Sequence, residues 1–328
     1  MMRESRRMAL AALAGCAVLA ASPLRAADPW PSRPLKILVP YSAGSVTDVI
    51  VRRIAERLSA RIGQPVVIDN RPGASGTIGL AAGLKAQPDG HTLIVGSTSN
   101  VSVSPALGIR GAFDPAKDFV PVAMYMKTPI VLLVHPSLGV RTLRDLVRVA
   151  RARAEPLQYA TGGQTSTTHF LSEMLQRSTG AQLTHVPYKG STPALFAVLS
   201  GEVPIGFDFP ATCSAHVAAG KLHALLVSGR TPVPLLPGVP TAIEAGYPDL
   251  DLVAWAGFLA PPGTPRAVVE RVHSELAQVI GSPDMEERLR AEGSALERLP
   301  PEAFRAYIQA DQAKWVRIVK ETGITAEQ

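Results

Sequence analysis

Groups able to bind an anion are concentrated in three short segments of this 328-residue chain. Each segment combines small residues and hydroxyl side chains and directly follows an apolar run; we call residues 41–48, 97–100 and 161–169 the first, second and third loops. Hydroxyl groups and unpaired backbone N–H groups bind a carboxylate without a buried cation. Helix capping explains any one such loop, but three together predict a site for a small carboxylate.

The predicted ligand-binding residues comprise members of these loops and one carboxylate that follows another apolar run. His169 is also interpreted as a residue that anchors its helix, and Tyr41 as one that packs against the neighbouring helix. Asp208 is suited either to accept a ligand N–H or O–H group or to cap the next helix. The full set is Tyr41, Ser42, Ala43, Gly44, Ser45, Asp48, Ser97, Ser99, Asn100, Thr161, Gly162, Thr165, Ser166, Thr167, His169 and Asp208.

Residue spacings typical of catalytic, nucleotide or metal sites are missing from the sequence. It has no Gly-x-Ser-x-Gly elbow, no Walker sequence and no Gly-x-Gly-x-x-Gly, and its seven histidines have no metal-ligand spacing. No nucleophile lies at a recognisable spacing from a base. The sequence therefore predicts no catalytic residue, no metal and no cofactor.

Residues 1–26 have the composition of a secretory signal, with three arginines before an apolar run over residues 8–21. Cleavage near Ala26 is the predicted processing, and lipidation of Cys16 within the LAGC sequence is the alternative. Either leaves Cys213 as the one cysteine of the folded part, so no internal disulfide is expected. Removing the signal lowers the formal net charge from +6 to +3, which gives little support to nucleic-acid binding.

The elements around the loops follow an α/β pattern. Residues 35–39 are an apolar β-branched run typical of a buried strand, and residues 49–58 carry apolar side chains at the spacing of an amphipathic helix. Because this strand–loop–helix unit recurs in both halves, we expect two α/β domains, with ligands bound outside the carboxyl ends of the strands. The expected boundaries are domain 1 from 27 to 126, domain 2 from 127 to 228, and a connector that returns to domain 1 over 229–328.

Seven segments of the chain resemble the Bug family, the extracytoplasmic solute receptors of tripartite tricarboxylate transporters, also called the TctC family. They run in order from about residue 31 to the C-terminus. The segments are PSRPLKILVPYSAGSVTDV, GQPVVIDNRPGASGTIG, PDGHTLIVG, YATGGQTSTTHFLSEML, HVPYKGSTPAL, AGKLHALLVSG and FLAPPGTPRAVVERV.

The resemblance implies a two-domain periplasmic binding protein (type II-like), in which each domain is a mainly parallel sheet flanked by helices. It also implies a ligand cleft between the domains, where the first and third loops hold a carboxylate through backbone and hydroxyl groups. Three residues depart from the family pattern: Ser45 and Thr165 stand where glycines are common, and Phe209 where asparagine is common. The departures favour a flat or aromatic carboxylate over amino-acid or citrate-like ligands.

The expected function is therefore a non-catalytic, monomeric receptor of the periplasm. It captures a small carboxylate by hinge closure and delivers it to the membrane components of a tripartite tricarboxylate transporter. Two alternatives stay open at this point. One is an exported enzyme with Asp208 or His169 as its acid–base group, and the other is a ligand-sensing subunit of a signalling system.

Overall fold

The structure, a computed structural model, describes residues 30–73, 76–109, 114–164, 166–188 and 190–326. The signal-peptide and lipidation predictions, Thr165 and Lys189 lie outside the described residues. The described strands are β1 (Leu35–Val39), β2 (Val66–Asn70), β3 (Thr92–Ser97), β4 (Val120–Pro129), β5 (Val131–Val134), β6 (Leu157–Thr161), β7 (Leu183–Pro187), β8 (Ile205–Asp208), β9 (His223–Val227), β10 (Val253–Ala260) and β11 (Ala295–Leu296).

Helices connect most of these strands. The α-helices of the described residues are α1 (Val46–Ile62), α2 (Thr77–Leu84), α3 (Ser104–Ala106), α4 (Pro115–Asp118), α5 (Leu143–Ala152), α6 (Thr167–Thr179), α7 (Ser191–Leu199), α8 (Pro210–Ala218), α9 (Arg266–Ile280), α10 (Pro283–Ala291) and α11 (Pro301–Thr322). A π-helix covers Thr98–Val103, and short 3₁₀ turns cover Pro136–Leu138 and Pro248–Leu250. None of the helices in the described ranges is both long and apolar enough to cross a bilayer.

The strands form two sheets. The first has the order β11-β4-β10-β3-β1-β2 and the second the order β7-β6-β8-β5-β9. Among the named strands of the described residues, parallel pairs join β1 to its neighbours β2 and β3, and β6 to its neighbours β7 and β8. The remaining pairs are antiparallel, so both sheets are mixed.

This mixture corrects the expectation of mainly parallel sheets. Strand β4 ends at Pro129 and β5 begins at Val131, so the chain passes from the first sheet into the second without an intervening helix. In the second sheet β5 pairs antiparallel with β8 and β9, and in the first sheet β10, on its return, pairs antiparallel with β3 and β4. The predicted strand–loop–helix units are present, and the two-sheet α/β class is confirmed.

Helix α1 shows why the first unit folds as the spacing predicts. Its residues Ile50, Ile54 and Leu58 are at most 2% exposed, and burial of each such side chain stabilises the fold by about 1.5–3 kcal/mol. Ser45 caps the helix by accepting the Asp48 backbone N–H, and Gly63 ends it in the left-handed conformation with φ 69°.

Helix α11 contributes to the cores of both sheets. Phe304 and Ile308, near its start, are buried in the core of the first sheet with Trp255. Two turns later, Trp315 belongs to the core of the second sheet, where its ring lies 5.0 Å from that of Phe170 in an edge-on contact. One helix therefore packs against elements of both sheets.

Ser228 ties together the two passages of the chain between the sheets. It follows β9 directly and is fully buried. Its hydroxyl accepts the Ile130 backbone N–H at 2.8 Å and donates to the Leu252 carbonyl at 2.5 Å, and its own N–H donates to the Ile130 carbonyl. Ile130 lies between β4 and β5, and Leu252 immediately precedes β10.

Candidate functional site

The first loop is organised around the carboxylate of Asp48, which is 1% exposed. One oxygen accepts the Gly44 N–H at 2.8 Å and the Arg52 Nε–H at 2.9 Å, and the other accepts the Asn70 amide at 2.8 Å. Burial alone would raise the pKa of Asp48, but these hydrogen bonds outweigh it and hold the pKa below its usual value. Asp48 is therefore a fully bonded anion that fixes the loop.

Tyr41 connects the first loop to the second. Its hydroxyl lies 2.5 Å from that of Ser97, and its carbonyl accepts the Asn70 amide at 3.1 Å. Burial raises the pKa of Tyr41, so the phenol stays neutral at physiological pH. The predicted residues Tyr41 and Ser97 are thus in contact at the carboxyl ends of β1 and β3.

The second loop is not an irregular turn, as the sequence suggested, but the start of the π-helix. Asn100 lies in its first turn and is fully buried. Its carbonyl oxygen accepts the Ser97 N–H at 2.8 Å, whereas its Nδ2 has no hydrogen-bond partner among the described residues. An unpaired buried N–H donor is costly, and it is therefore a candidate donor to a ligand.

Contacts from distant parts of the chain hold the π-helix. The Thr98 hydroxyl accepts the Trp255 backbone N–H at 2.8 Å, and the Gln312 amide donates to the Val101 carbonyl at 3.0 Å. The indole N–H of Trp255 in turn donates to Asp311 at 2.7 Å. The π-helix is thereby held in place by β10 and α11.

The third loop follows β6 and caps α6. The Ser166 side chain accepts the His169 backbone N–H at 3.2 Å and donates to the Gly163 carbonyl at 2.7 Å. It also lies 2.8 Å from the Thr168 hydroxyl. Part of the hydroxyl content therefore serves capping, which is the structural alternative that the sequence left open.

Behind the third loop, two imidazole rings stack face to face. The rings of His169 and His185 lie 3.9 Å apart at 10°, and His185 is in turn stacked on Tyr159. His185 Nε2 lies 2.7 Å from the Thr161 hydroxyl. Burial lowers the pKa of both histidines to about 4, and for His185 the neighbouring His169 lowers it further while Glu173 opposes this.

Asp208 ends β8 and is 2% exposed. One oxygen accepts the Thr212 hydroxyl at 2.7 Å, and the other has no partner among the residues that the structure describes. Burial raises its pKa to about 6, although the Thr212 hydroxyl and the Phe209 backbone N–H partly oppose this. Asp208 therefore retains an unused acceptor at the end of a strand.

The predicted residues thus fall into two groups. The structure joins Tyr41 to Ser97 and Ser97 to Asn100 at the end of the first sheet. Other members, including Ser42, Ala43 and Gly44, are exposed. In the second sheet, Thr161 is fully buried against His185, and Gly162, Ser166 and Thr167 lie in the same loop; Ser99 is half-buried in the π-helix.

Two residues important to this geometry were not predicted. Asn70 bonds both Asp48 and Tyr41, and His185 bonds Thr161 and stacks on His169. Asn70 is the last residue of β2 and His185 the middle residue of β7, and each of these strands lies next to a strand that carries a predicted loop. The polar residue type within an apolar strand was the signal available in the sequence. Among the described residues, no three His, Cys, Asp or Glu side chains are grouped to hold a metal ion.

Two sheets of this kind, with flanking helices, are the architecture of periplasmic binding proteins. The R. palustris protein Rpa4515, solved with adipate, has a TM-score of 0.81 and 34% identity, and the match covers 90% of this chain and 99% of that one. MatC from Rhodopseudomonas palustris, solved with bound malate, has a TM-score of 0.77 and 31% identity, covering 88% and 100%. The predicted fold class is confirmed.

The chain belongs to the tripartite tricarboxylate transporter family receptors (TctC), because the profile of that family matches residues 50–324. The protein BugT of Bordetella pertussis is 33% identical over 302 residues, which cover 90% of this chain and 91% of BugT. Members of this family are periplasmic solute receptors and not enzymes. The resemblance seen in the sequence and the prediction of a non-enzymatic receptor are confirmed, and this contradicts the alternative of an exported enzyme.

Proposed function

We propose that this receptor is exported through residues 1–26, binds a small organic carboxylate between its two sheets as a monomer, and delivers it to the membrane components of a tripartite tricarboxylate transporter. In this proposal, each sheet with its helices is one domain, and the passages at Ile130 and Ser228 are the hinge. Closure is driven by the higher affinity of the ligand for the closed form.

The buried, unpaired Nδ2 donor of Asn100 is the observation that carries the proposal. Asn100 accepts the Ser97 N–H, and the Ser97 hydroxyl contacts that of Tyr41, so one amide and two hydroxyl groups lie at the end of the first sheet. A carboxylate supplies acceptors for all three groups without a cationic partner. The adipate and malate in the structures of two relatives support the same ligand class.

In the second sheet, the third loop and Asp208 complete the proposed site. The unused oxygen of Asp208 can only accept a hydrogen bond while the carboxylate is ionised. A ligand that also presents a hydroxyl group or a protonated carboxyl group would satisfy it. Phe209 is half-buried next to Asp208 and offers an aromatic face, which favours a flat or aromatic carboxylate.

A thermal-shift screen of the processed protein tests the ligand class. The library contains adipate, malate, citrate, aspartate, nicotinate, benzoate and phthalate, each with a neutral isostere. A ligand at about one hundred times its dissociation constant stabilises the folded state by about 2.7 kcal/mol, which is visible as a rise in Tm. If no carboxylate raised the Tm while a neutral or cationic solute did, the proposal would be wrong.

The variant Asn100→Asp tests the role of the unpaired Nδ2 donor of Asn100. It keeps the oxygen that accepts the Ser97 N–H but replaces the free donor with an anionic oxygen, which repels a carboxylate. We expect the affinity for the best carboxylate of the screen to fall about tenfold or more. Gln309→Glu, which adds the same charge at an exposed position of α11, is the matched control; equal affinities of the two variants would remove Asn100 from the site.

A further inference from the structure

Lys36 occupies an unusual position for a lysine. It lies in β1, between β2 and β3, where side chains on both faces of a parallel sheet are ordinarily covered. Its neighbours in register are Val67 of β2 and Thr92 of β3. Lys36 is exposed and Val67 is 52% exposed, so this part of the sheet has an open face.

The face is open because α2 is too short to cover it. The eight residues of α2 span about 12 Å and pack over the following part of the sheet. There, Leu80 of α2 shares a core with Leu38 and Ile94, and Gly83 lies so close to Ile94 that a Cβ would meet its side chain at 2.5 Å. The helix ends one residue later, and beyond this end the side of the sheet that carries Lys36 is uncovered.

A groove of about 480 Å³ fills the uncovered area, a volume in the range of small-ligand sites. Four cationic side chains from separate segments line it, over an apolar floor that includes Val67 and Ala82. The cations are Arg33 before β1, Lys36 within it, Arg71 after β2 and Lys85 at the end of α2.

Only half of this positive charge is balanced. Arg33 pairs with Asp89 at 2.6 Å, and Arg71 pairs with Asp69 at 3.0 Å. Lys36 and Lys85 make no ion pair within the described residues. Lys85 also faces the negative end of the α2 dipole, which offsets only part of one charge. The groove therefore carries an excess of between one and two positive charges.

We propose that this groove is a second anion site, which binds a phosphate-bearing group through Lys36 and Lys85. A phosphate monoester carries about two negative charges at neutral pH and three strong acceptor oxygens, which match two unpaired ammonium groups. Lysine is an established phosphate binder that acts as a point charge. The apolar floor accommodates the organic part of the ester.

The groove is separate from the proposed carboxylate site. Lys36 lies near the amino end of β1, whereas Tyr41 follows its carboxyl end, and the five residues from Lys36 to Tyr41 correspond to about 16 Å of extended chain. Neither Tyr41, Ser97 nor Asn100 lines the groove. The two sites are therefore able to be occupied at the same time, and failure of one proposal leaves the other intact.

Calorimetric titration of the processed protein with glycerol 3-phosphate, and co-sedimentation with vesicles that contain phosphatidic acid, test the proposal. The first probe presents the phosphate ester as a solute and the second presents it as a lipid headgroup. We expect saturable binding in at least one of the two experiments. The experiment that gives it shows whether the groove binds a soluble phosphate ester or a lipid headgroup. Absence of saturable binding in both experiments would overturn the proposal.

The double variant Lys36→Gln/Lys85→Gln is expected to weaken this binding about tenfold or more. Lys221→Gln/Lys320→Gln removes the same charge from two exposed lysines outside the groove and should leave the affinity within about twofold at 0.15 M salt, where distant charges are screened. If both double variants lost affinity equally, the attraction would be a property of net charge and the groove assignment would be wrong. Circular dichroism and Tm of each variant establish that it is folded.

Discussion

Asp48 and Asp208 are both buried carboxylates, one in the helix turn that follows β1 and the other at the end of β8, yet their hydrogen bonding differs. Asp48 accepts hydrogen bonds on both oxygens from Gly44, Arg52 and Asn70, and its pKa is lowered. Asp208 accepts one side-chain hydroxyl, keeps an unpaired oxygen, and has its pKa raised to about 6. Both oxygens of the first carboxylate are therefore bonded within the protein, whereas one oxygen of the second is not.

The contrast extends to the loops around each carboxylate. The first loop is held by hydrogen bonds to the Asp48 carboxylate, whose lowered pKa keeps it ionised over the physiological pH range. Next to the third loop, by contrast, two stacked histidines are kept neutral by burial. The end of the first sheet is therefore insensitive to mild acid, and the end of the second sheet is where protonation acts.

The histidine pair gives the largest expected effect. Its folded-state pKa values of about 4 lie below the unfolded value of 6.5, so the unfolded state binds protons first and stability falls as pH decreases from 6.5 to 4. Between wild type and His169→Gln/His185→Gln, we expect the difference in unfolding free energy to change by on the order of 5 kcal/mol across this range. Urea unfolding at a series of pH values measures it.

His216→Gln on α8 is the control for the histidine pair, because this side chain belongs to neither the stack nor the third loop. The difference in unfolding free energy between His216→Gln and wild type should change much less over the same pH range. A difference between wild type and the double variant that did not vary with pH would contradict the contrast between the two sheets.

Replacement of Asp48 by alanine should be the most damaging single substitution. It leaves Arg52, Asn70 and the Gly44 N–H without their acceptor, at a cost of about 3 kcal/mol of unfolding free energy at pH 7. Since the folded pKa of Asp48 is lowered, this contribution is present above the unfolded value of about 3.9 and is lost as pH falls through the folded pKa. Asp249→Ala at an exposed position should change stability by no more than about 0.5 kcal/mol.

Asp208→Asn should stabilise the protein at neutral pH, whereas Asp48→Ala destabilises it. Because the folded pKa of about 6 exceeds the unfolded value of about 3.9, wild type loses stability as pH rises from 4 to 6. The variant avoids this loss, so at pH 7.5 we expect it to be more stable than wild type by about 2 kcal/mol, with little gain at pH 4. Urea unfolding at a series of pH values measures this difference. A loss of stability at pH 7.5 would show that the Asp208 carboxylate is paired.

Tyr41→Phe should have the smallest effect on stability of these substitutions. It separates the contribution of the Tyr41 hydroxyl from that of the Tyr41 carbonyl. It removes the hydroxyl next to Ser97 and leaves the Asn70 bond to the Tyr41 carbonyl intact. We expect a loss of about 1 kcal/mol of unfolding free energy and a larger relative loss of carboxylate affinity. Ser166→Ala, which removes an α6 cap of similar strength, should give a comparable stability loss and serves as the matched variant.

Local patterns were sufficient to predict the strand–loop–helix units. The apolar run of β1 and the apolar spacing on α1 act within a few residues of one another. Which residue caps α1 or α6 was not predicted: the caps are Ser45 for α1 and Ser166 for α6. Family resemblance then supplied the two-sheet architecture, which no local pattern specifies.

The π-helix could not be predicted from the residues that form it. Residues 98–100 have the composition of a polar turn, and the contacts that hold the π-helix come from Trp255 and Gln312, 157 and 211 positions away from their partners. His185 was similarly overlooked, because its bond to Thr161 depends on the pairing of β6 with β7. The antiparallel pairing of β10 with β3 and β4 could not be predicted either, because it depends on where the chain re-enters the first sheet.

Ser228 gives the two halves of the molecule a common mechanical joint. Its hydroxyl and N–H bind Ile130 on one passage and Leu252 at the far end of the other, so neither strand is free to bend without moving its counterpart. In the proposed closure of the receptor, the two passages would therefore bend as one unit, and loss of the Ser228 hydroxyl would let each passage bend separately.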